Sequence, residues 1–201
     1  MKIFSIIIAS CQDGSPPILL SSTHNLDDIS FWYRSSVKEL ACFVSKEVLS
    51  RSKASDCLSV QHKEYMCHAR SCSNGLGVAV LSDEEYPSRV AFTMIDEVLD
   101  LFNSSFNESQ WRKFTSDTSL NVIGIDELLV KYGKPEETDK IMMIHKELEE
   151  TKKILVVNIG QLLNRGESLE KLSATSESLS FQSRIFLGEA EKLNSKCCSI
   201  L

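Results

Sequence analysis

Two adjacent thiols near the end of the chain, Cys197 and Cys198, carry the clearest chemistry in this sequence. Cys198-Ser199-Ile200-Leu201 is a CaaX box, in which the thiol nucleophile of Cys198 accepts a prenyl group. A final leucine favours geranylgeranyl, whereas methionine, serine or glutamine there would favour farnesyl. One lipid holds a protein on a bilayer only marginally, each buried methylene contributing about 0.8 kcal/mol. Lys192 and Lys196 are too few for a polybasic second signal, so Cys197 is the expected second site, as a palmitoyl or second prenyl acceptor. No run of 18 apolar residues could supply a transmembrane helix instead.

A second chemical oddity is Arg165, which sits in the middle of an apolar seam. Steps of three and four residues reach Leu162, Asn158, Leu155, Thr151, Leu148, Ile144 and Ile141 on one side. On the other side they reach Leu169, Leu172, Ser176, Leu179, Ser183, Phe186, Ala190 and Leu193. A repeat of 3.5 residues held for about seven heptads predicts a helix built for a coiled coil. An unpaired charge in such a core is strongly destabilising, so the partner helices must offer oxygen atoms at that layer. Gly160, Gly166 and Gly188 each cost the helix about 1 kcal/mol relative to alanine. The lone segment is therefore expected to stay loose, or tucked against the rest of the protein, until partners order it.

The run Leu162-Leu163-Asn164-Arg165-Gly166-Glu167-Ser168-Leu169 resembles the central layers of an R-SNARE. In that family the arginine meets three glutamines from partner helices. The stretches Arg34-Ser35-Ser36-Val37-Lys38-Glu39 and Glu85-Tyr86-Pro87-Ser88-Arg89-Val90-Ala91-Phe92-Thr93, with the cysteine tail, are similar to prenyl-anchored longin R-SNAREs. The resemblance implies vesicle docking and membrane fusion in ER–Golgi, intra-Golgi and endosomal or vacuolar transport. It implies three glutamine-SNARE helices as partners in a four-helix bundle, together with a prenyltransferase and SNARE-disassembly and tethering factors. It also implies a cytosolic closed form, in which the longin domain folds back on the coiled-coil segment and shelters the lipid, and a membrane form on Golgi, ER, endosomal and vesicle surfaces. Phe43 matches an apolar surface position used for that closure. Self-palmitoylation has been associated with the family, but no residue here stands out as its catalyst.

The elements ahead of the seam read as α+β. Ile3–Ser10 is a β-branched strand, since its apolar run of about seven residues is short for a secretion signal. Gln12-Asp13-Gly14 turns it back into Pro17–Leu20. Phe31–Ser52 has helical spacing through Val37, Leu40, Ala41, Val44 and Val48. Three strands follow at Leu58–His62, Tyr65–Arg70 and Leu76–Leu81, with turns at Lys63-Glu64 and Ser73-Asn74-Gly75. Asp83-Glu84-Glu85-Tyr86-Pro87 is expected to open a helix with acids at its positive end. A helix at Ile125–Tyr132 closes on Gly133. The expected architecture is a longin (profilin-like) domain over 1–133, with a five-stranded antiparallel sheet between helices. A linker at 134–139, a long coiled-coil helix at 140–194 and a lipidated tail at 195–201 complete it.

Other chemistries are disfavoured. Net charge is −6, which argues against a nucleic-acid partner. Cys57, His62, Cys67, His68 and Cys72 lack zinc spacing, and Cys67 and His68 point to opposite faces of a strand. No phosphate loop or nucleophile elbow is present, so neither metal, cofactor nor catalytic residue is expected. The rival reading is a longin-domain trafficking adaptor whose heptads only dimerise.

Overall fold

In a computed structural model, residues 1–12, 15–133 and 154–187 are described. Strands β1 (Ile3–Ser10) and β2 (Ile18–His24) precede helix α1 (Phe31–Arg51). Strands β3 (Cys57–His62), β4 (Tyr65–Ser71) and β5 (Leu76–Asp83) lead into α2 (Ser88–Ser105), the single turn α3 (Glu108–Trp111) and α4 (Ile125–Tyr132). After the gap come β6 (Ile154–Asn158), α5 (Ile159–Leu162), α6 (Leu169–Thr175) and a helical stretch at 181–187.

The sheet has six strands in the order β2-β1-β5-β4-β3-β6. The first five pair antiparallel, and β6 lies parallel to β3 from Cys57↔Ile154 to Gln61↔Asn158. The expected five-stranded sheet is thus present, but a sixth strand makes it mixed. Alternation sorts its two faces. Ile6 and Ile8 of β1 enter the core beneath α2 and α4, with Leu20, Val80, Ile95 and Phe102. Ile7 and Ala9 enter the core beneath α1, with Val48, Leu49, Val60 and Ala79.

Turn chemistry follows the sequence at both tight connections. Gly75 takes φ +83°, where a Cβ would lie 2.8 Å from the Cys11 carbonyl oxygen. Lys63 adopts φ 55° in the β3–β4 turn. The outer edge of β2 is covered by the 117–120 segment. Thr118 and Leu120 donate backbone N–H to Leu19 and Leu20 at 2.8 and 2.7 Å, and Asp117 Oδ1 accepts from Leu19 N at 2.9 Å.

Residues 83–87 correct one expectation. β5 runs through Asp83, and α2 begins only at Ser88 with Pro87 as its extended N-cap. Glu84 and Glu85 lie in the turn, where Glu84 accepts from Gln61 Nε2 at 3.0 Å. Tyr86 is buried there and donates its hydroxyl to the Tyr132 carbonyl at 2.8 Å, tying the turn to α4.

The larger correction concerns the segment expected as one long helix. Among its described residues it is a strand, two short helices and a third helical stretch, laid over β3 and α1. Ile154, Val156 and Val157 supply β-branched side chains suited to a strand. Asn158 then caps α5, accepting from Gly160 N while Gln161 Oε1 accepts from Asn158 N, both at 3.0 Å. Gly166 at φ +93° permits the turn between α5 and α6, with no atom within 4 Å of where its Cβ would be.

Candidate functional site: the seam folded on helix α1

Helix α1 is sandwiched. Its inner face meets the sheet through Val48 and Leu49, and its outer face carries Glu39, Phe43 and Glu47 at successive i, i+4 positions. Phe43 is buried there against Leu169 and Leu179, with Leu40, Val44, Leu172 and Leu187 around them. Phe43 is therefore a surface position of the first domain that the returning segment covers.

Around this apolar clasp the polar contacts are directional. Glu39 Oε2 accepts from the Ser180 backbone N–H at 2.8 Å and from the Ser183 hydroxyl at 2.7 Å. Desolvation pushes the Glu39 carboxyl upward, but the donors of Ser180 and Ser183 outweigh it and leave its pKa below the ordinary glutamate value. At the other end Arg51 pairs with Glu47 and reaches Glu167 Oε2 at 3.3 Å. Glu167 in turn accepts from Asn164 N at 3.0 Å and Asn164 Nδ2 at 3.1 Å, and these two contacts lower its pKa first of all. Tyr33 and Phe186 close the far end with ring centroids 5.1 Å apart.

The seam residues divide accordingly. Leu169, Leu179 and Ser183 are buried, and Leu162, Leu172, Ser176 and Phe186 are half-buried. Leu155 is half exposed in β6, and Asn158 is exposed as the α5 cap. Arg165 is exposed in the Asn164–Glu167 turn rather than inside any core. Ile141, Ile144, Leu148, Thr151, Ala190, Leu193, Cys197 and Cys198 lie outside the described residues, as do the 134–139 linker and the 195–201 tail. Sequence alone assigns no role to Glu39, Arg51 or Tyr33, although Glu39 ends the Arg34–Glu39 stretch that carries the family resemblance. Glu39 had a signal, since it stands one turn before Phe43 on the same face.

The cysteine and histidine cluster resolves into separate environments. Cys67 faces the α1 core, where burial pushes its thiol up to about 12. His68 faces α2, edge-on to Phe92, with Ser59 Oγ 2.9 Å from Nδ1 and Ser82 Oγ 3.2 Å from Nε2. Burial lowers its pKa to about 4, so the ring is neutral. Both nitrogens are thereby committed to serines, and Cys57, Cys67 and Cys72 are not joined in disulfides. Among the described residues no helix is long and apolar enough to cross a membrane.

Residues 26–128 match the longin family model, described as a regulated-SNARE-like domain, and residues 140–199 match the synaptobrevin model. The chain is 42% identical over 200 residues to the putative synaptobrevin homolog YKT6 of Dictyostelium discoideum, covering 98% of each. It is 41% identical to the VAMP-like protein YKT61 of Arabidopsis thaliana over the whole of both chains. The synaptobrevin homolog ykt6 of Schizosaccharomyces pombe is 37% identical, again end to end. With a longin domain, a synaptobrevin segment and relatives matched along their full length, the chain belongs to the longin R-SNAREs, the YKT6-type synaptobrevin homologues.

Proposed function

We propose that the arrangement over α1 is the closed, fusion-incompetent form of this R-SNARE. When the clasp opens, residues 140–194 become one helix and zip with three glutamine-SNARE helices. Arg165 then leaves its exposed turn and sets register at the central layer, where glutamine oxygens satisfy it. Prenylated Cys198, helped by a lipid on Cys197, transmits the pull to the vesicle membrane. The pathways are ER–Golgi, intra-Golgi and endosomal or vacuolar transport, with a prenyltransferase and disassembly and tethering factors acting on the chain. Its role is mechanical rather than catalytic, with no cofactor beyond covalent lipid.

The observation that carries this reading is the burial of Leu169 and Leu179 against Phe43. These are seam residues, so the same side chains cannot face α1 and a helical bundle at once. Phe43→Glu places a charge in that clasp without touching the sheet core. It should raise the rate of bundle assembly with glutamine-SNARE fragments at least tenfold and move the protein from cytosol to membrane. An unchanged rate in a folded variant would refute the autoinhibitory role. Intact mass of the protein from eukaryotic cells, beside Cys198→Ser and Cys197→Ser, reads both lipids and settles the prenyl group.

A further inference from the structure

Phe31 and Trp32 are each 77% exposed at the first turn of α1. Single exposed apolar residues are ordinary, but two large rings packed on each other and left in water are not. Their centroids are 6.0 Å apart in an edge-to-face pair. The backbone that carries them is also held in place. Arg34 donates through Nε to the Ile29 carbonyl at 2.9 Å and through Nη2 to the Asp27 carbonyl at 3.2 Å. Tyr33 N–H bonds back to the Ser30 carbonyl at 2.9 Å, and Leu26 is buried beneath the loop. This fixed turn presents the rings outward, so little ordering cost attaches to any surface that receives them.

The same end of the molecule collects further exposed apolar side chains. Tyr33 is half exposed beside Phe186, and Phe181 and Ile185 stand one turn apart on the open side of the 181–187 stretch. Cys198 lies eleven residues beyond Leu187, a contour of at most about 40 Å. A lipid on it that leaves its shelter and enters a bilayer would bring that bilayer within reach of these rings.

We propose that Phe31 and Trp32 form an aromatic membrane-insertion tip, which enters the headgroup–acyl boundary of a neutral bilayer as a contact separate from the covalent lipids. Trp and Phe suit that boundary because their rings are apolar and their entry requires no burial of charge. Net charge of −6 gives no general attraction to anionic lipid, so the recognised surface is a zwitterionic one and the contact is insensitive to salt. The proposal uses the anchored-SNARE reading only to explain why a membrane comes near, and its test separates the two.

The chain has two tryptophans, and Trp111 is buried, so emission changes on adding vesicles report Trp32. Unmodified full-length protein is titrated with phosphatidylcholine vesicles at millimolar lipid, with and without bromine-labelled acyl chains. A blue shift of Trp32 emission, quenched by the brominated lipid and unchanged by high salt, is expected. Phe31→Ser, which leaves the reporter in place, should weaken partitioning about tenfold, as withdrawal of one aromatic ring from an apolar phase would. Trp32→Ser should do the same by cosedimentation. Trp32 emission that ignores vesicles at every lipid concentration overturns the proposal. A prenylated chain that binds vesicles while Trp32 stays unquenched keeps the anchor and removes the tip. A chain that carries no lipid in cells yet shows the shift keeps the tip and removes the anchor.

Discussion

Glu39 is the one charged side chain of α1 on which both Ser180 and Ser183 converge, and its protonation sets the sense of pH dependence at the clasp. Its pKa is lower in the docked form than in water, so it stabilises docking fully above the ordinary glutamate range. That contribution is lost as pH falls through the depressed value. Acid should therefore open the clasp, and Glu39→Gln should flatten the dependence while weakening docking at neutral pH by about 1 kcal/mol or less. Hydrogen exchange over 154–187, measured against β1 and β5 between pH 7 and 4, reads this. Equal acid sensitivity in wild type and variant would exclude Glu39 as the titrating group. At this scale the sequence was partly legible. Phe43 could be picked out by resemblance, and Leu169 and Leu179 by heptad position. The serine donors to Glu39 could not, because they meet it only through a reversal of the chain that periodicity does not encode.

Strand β6 shows why one pattern hid another. Leu155 and Asn158 keep the seam's register, so spacing alone reads a helix. The neighbouring side chains, Ile154 before them and Val156 and Val157 between them, are β-branched, and in the absence of partner helices they complete a sheet edge. On the proposed function, the segment would exchange this strand for a helix, with tertiary partners choosing between the two. Val156 tests this cleanly because it is 60% exposed in the strand and contributes little to the core. Val156→Ala lowers strand preference and raises helix preference, by about 1 kcal/mol together. It should increase the open population several-fold, visible as faster proteolysis within 154–187 and more helix on adding partner fragments. An unchanged cleavage rate would show that β6 does not hold the closed form. By contrast, β1 to β5 and α4 were readable to within a few residues, since alternation, tight turns and Gly133 all agreed. The start of α2 was misread because acids before a proline serve equally well in a turn.

For the whole molecule, α1 behaves as a middle layer. The sheet covers one face and the 154–187 segment covers the other, so the domain boundary expected near residue 133 divides the chain but not the packing. A fragment of 1–133 should keep the core beneath α2 and yet expose Phe43, Leu40 and Val44. It should bind a hydrophobic dye more strongly than the full chain and self-associate at micromolar concentration, by sedimentation velocity. A monomeric, dye-silent fragment would mean that α1's outer face does not need its cover.

The parallel pairing of β6 with β3 would set a time limit on the opening proposed above. Once β6 departs, residues Cys57–Gln61 lose a neighbour and their backbone donors and acceptors on that side stand bare, a template that any passing extended chain could extend. On the proposed function, activation would trade one unpaired surface for another: the seam would gain its partners while the sheet is left able to recruit strands. In such a cycle an open molecule that waited too long would be a seed for aggregation, and swift capture of the freed segment, or swift reclosure, would protect the rest of the protein.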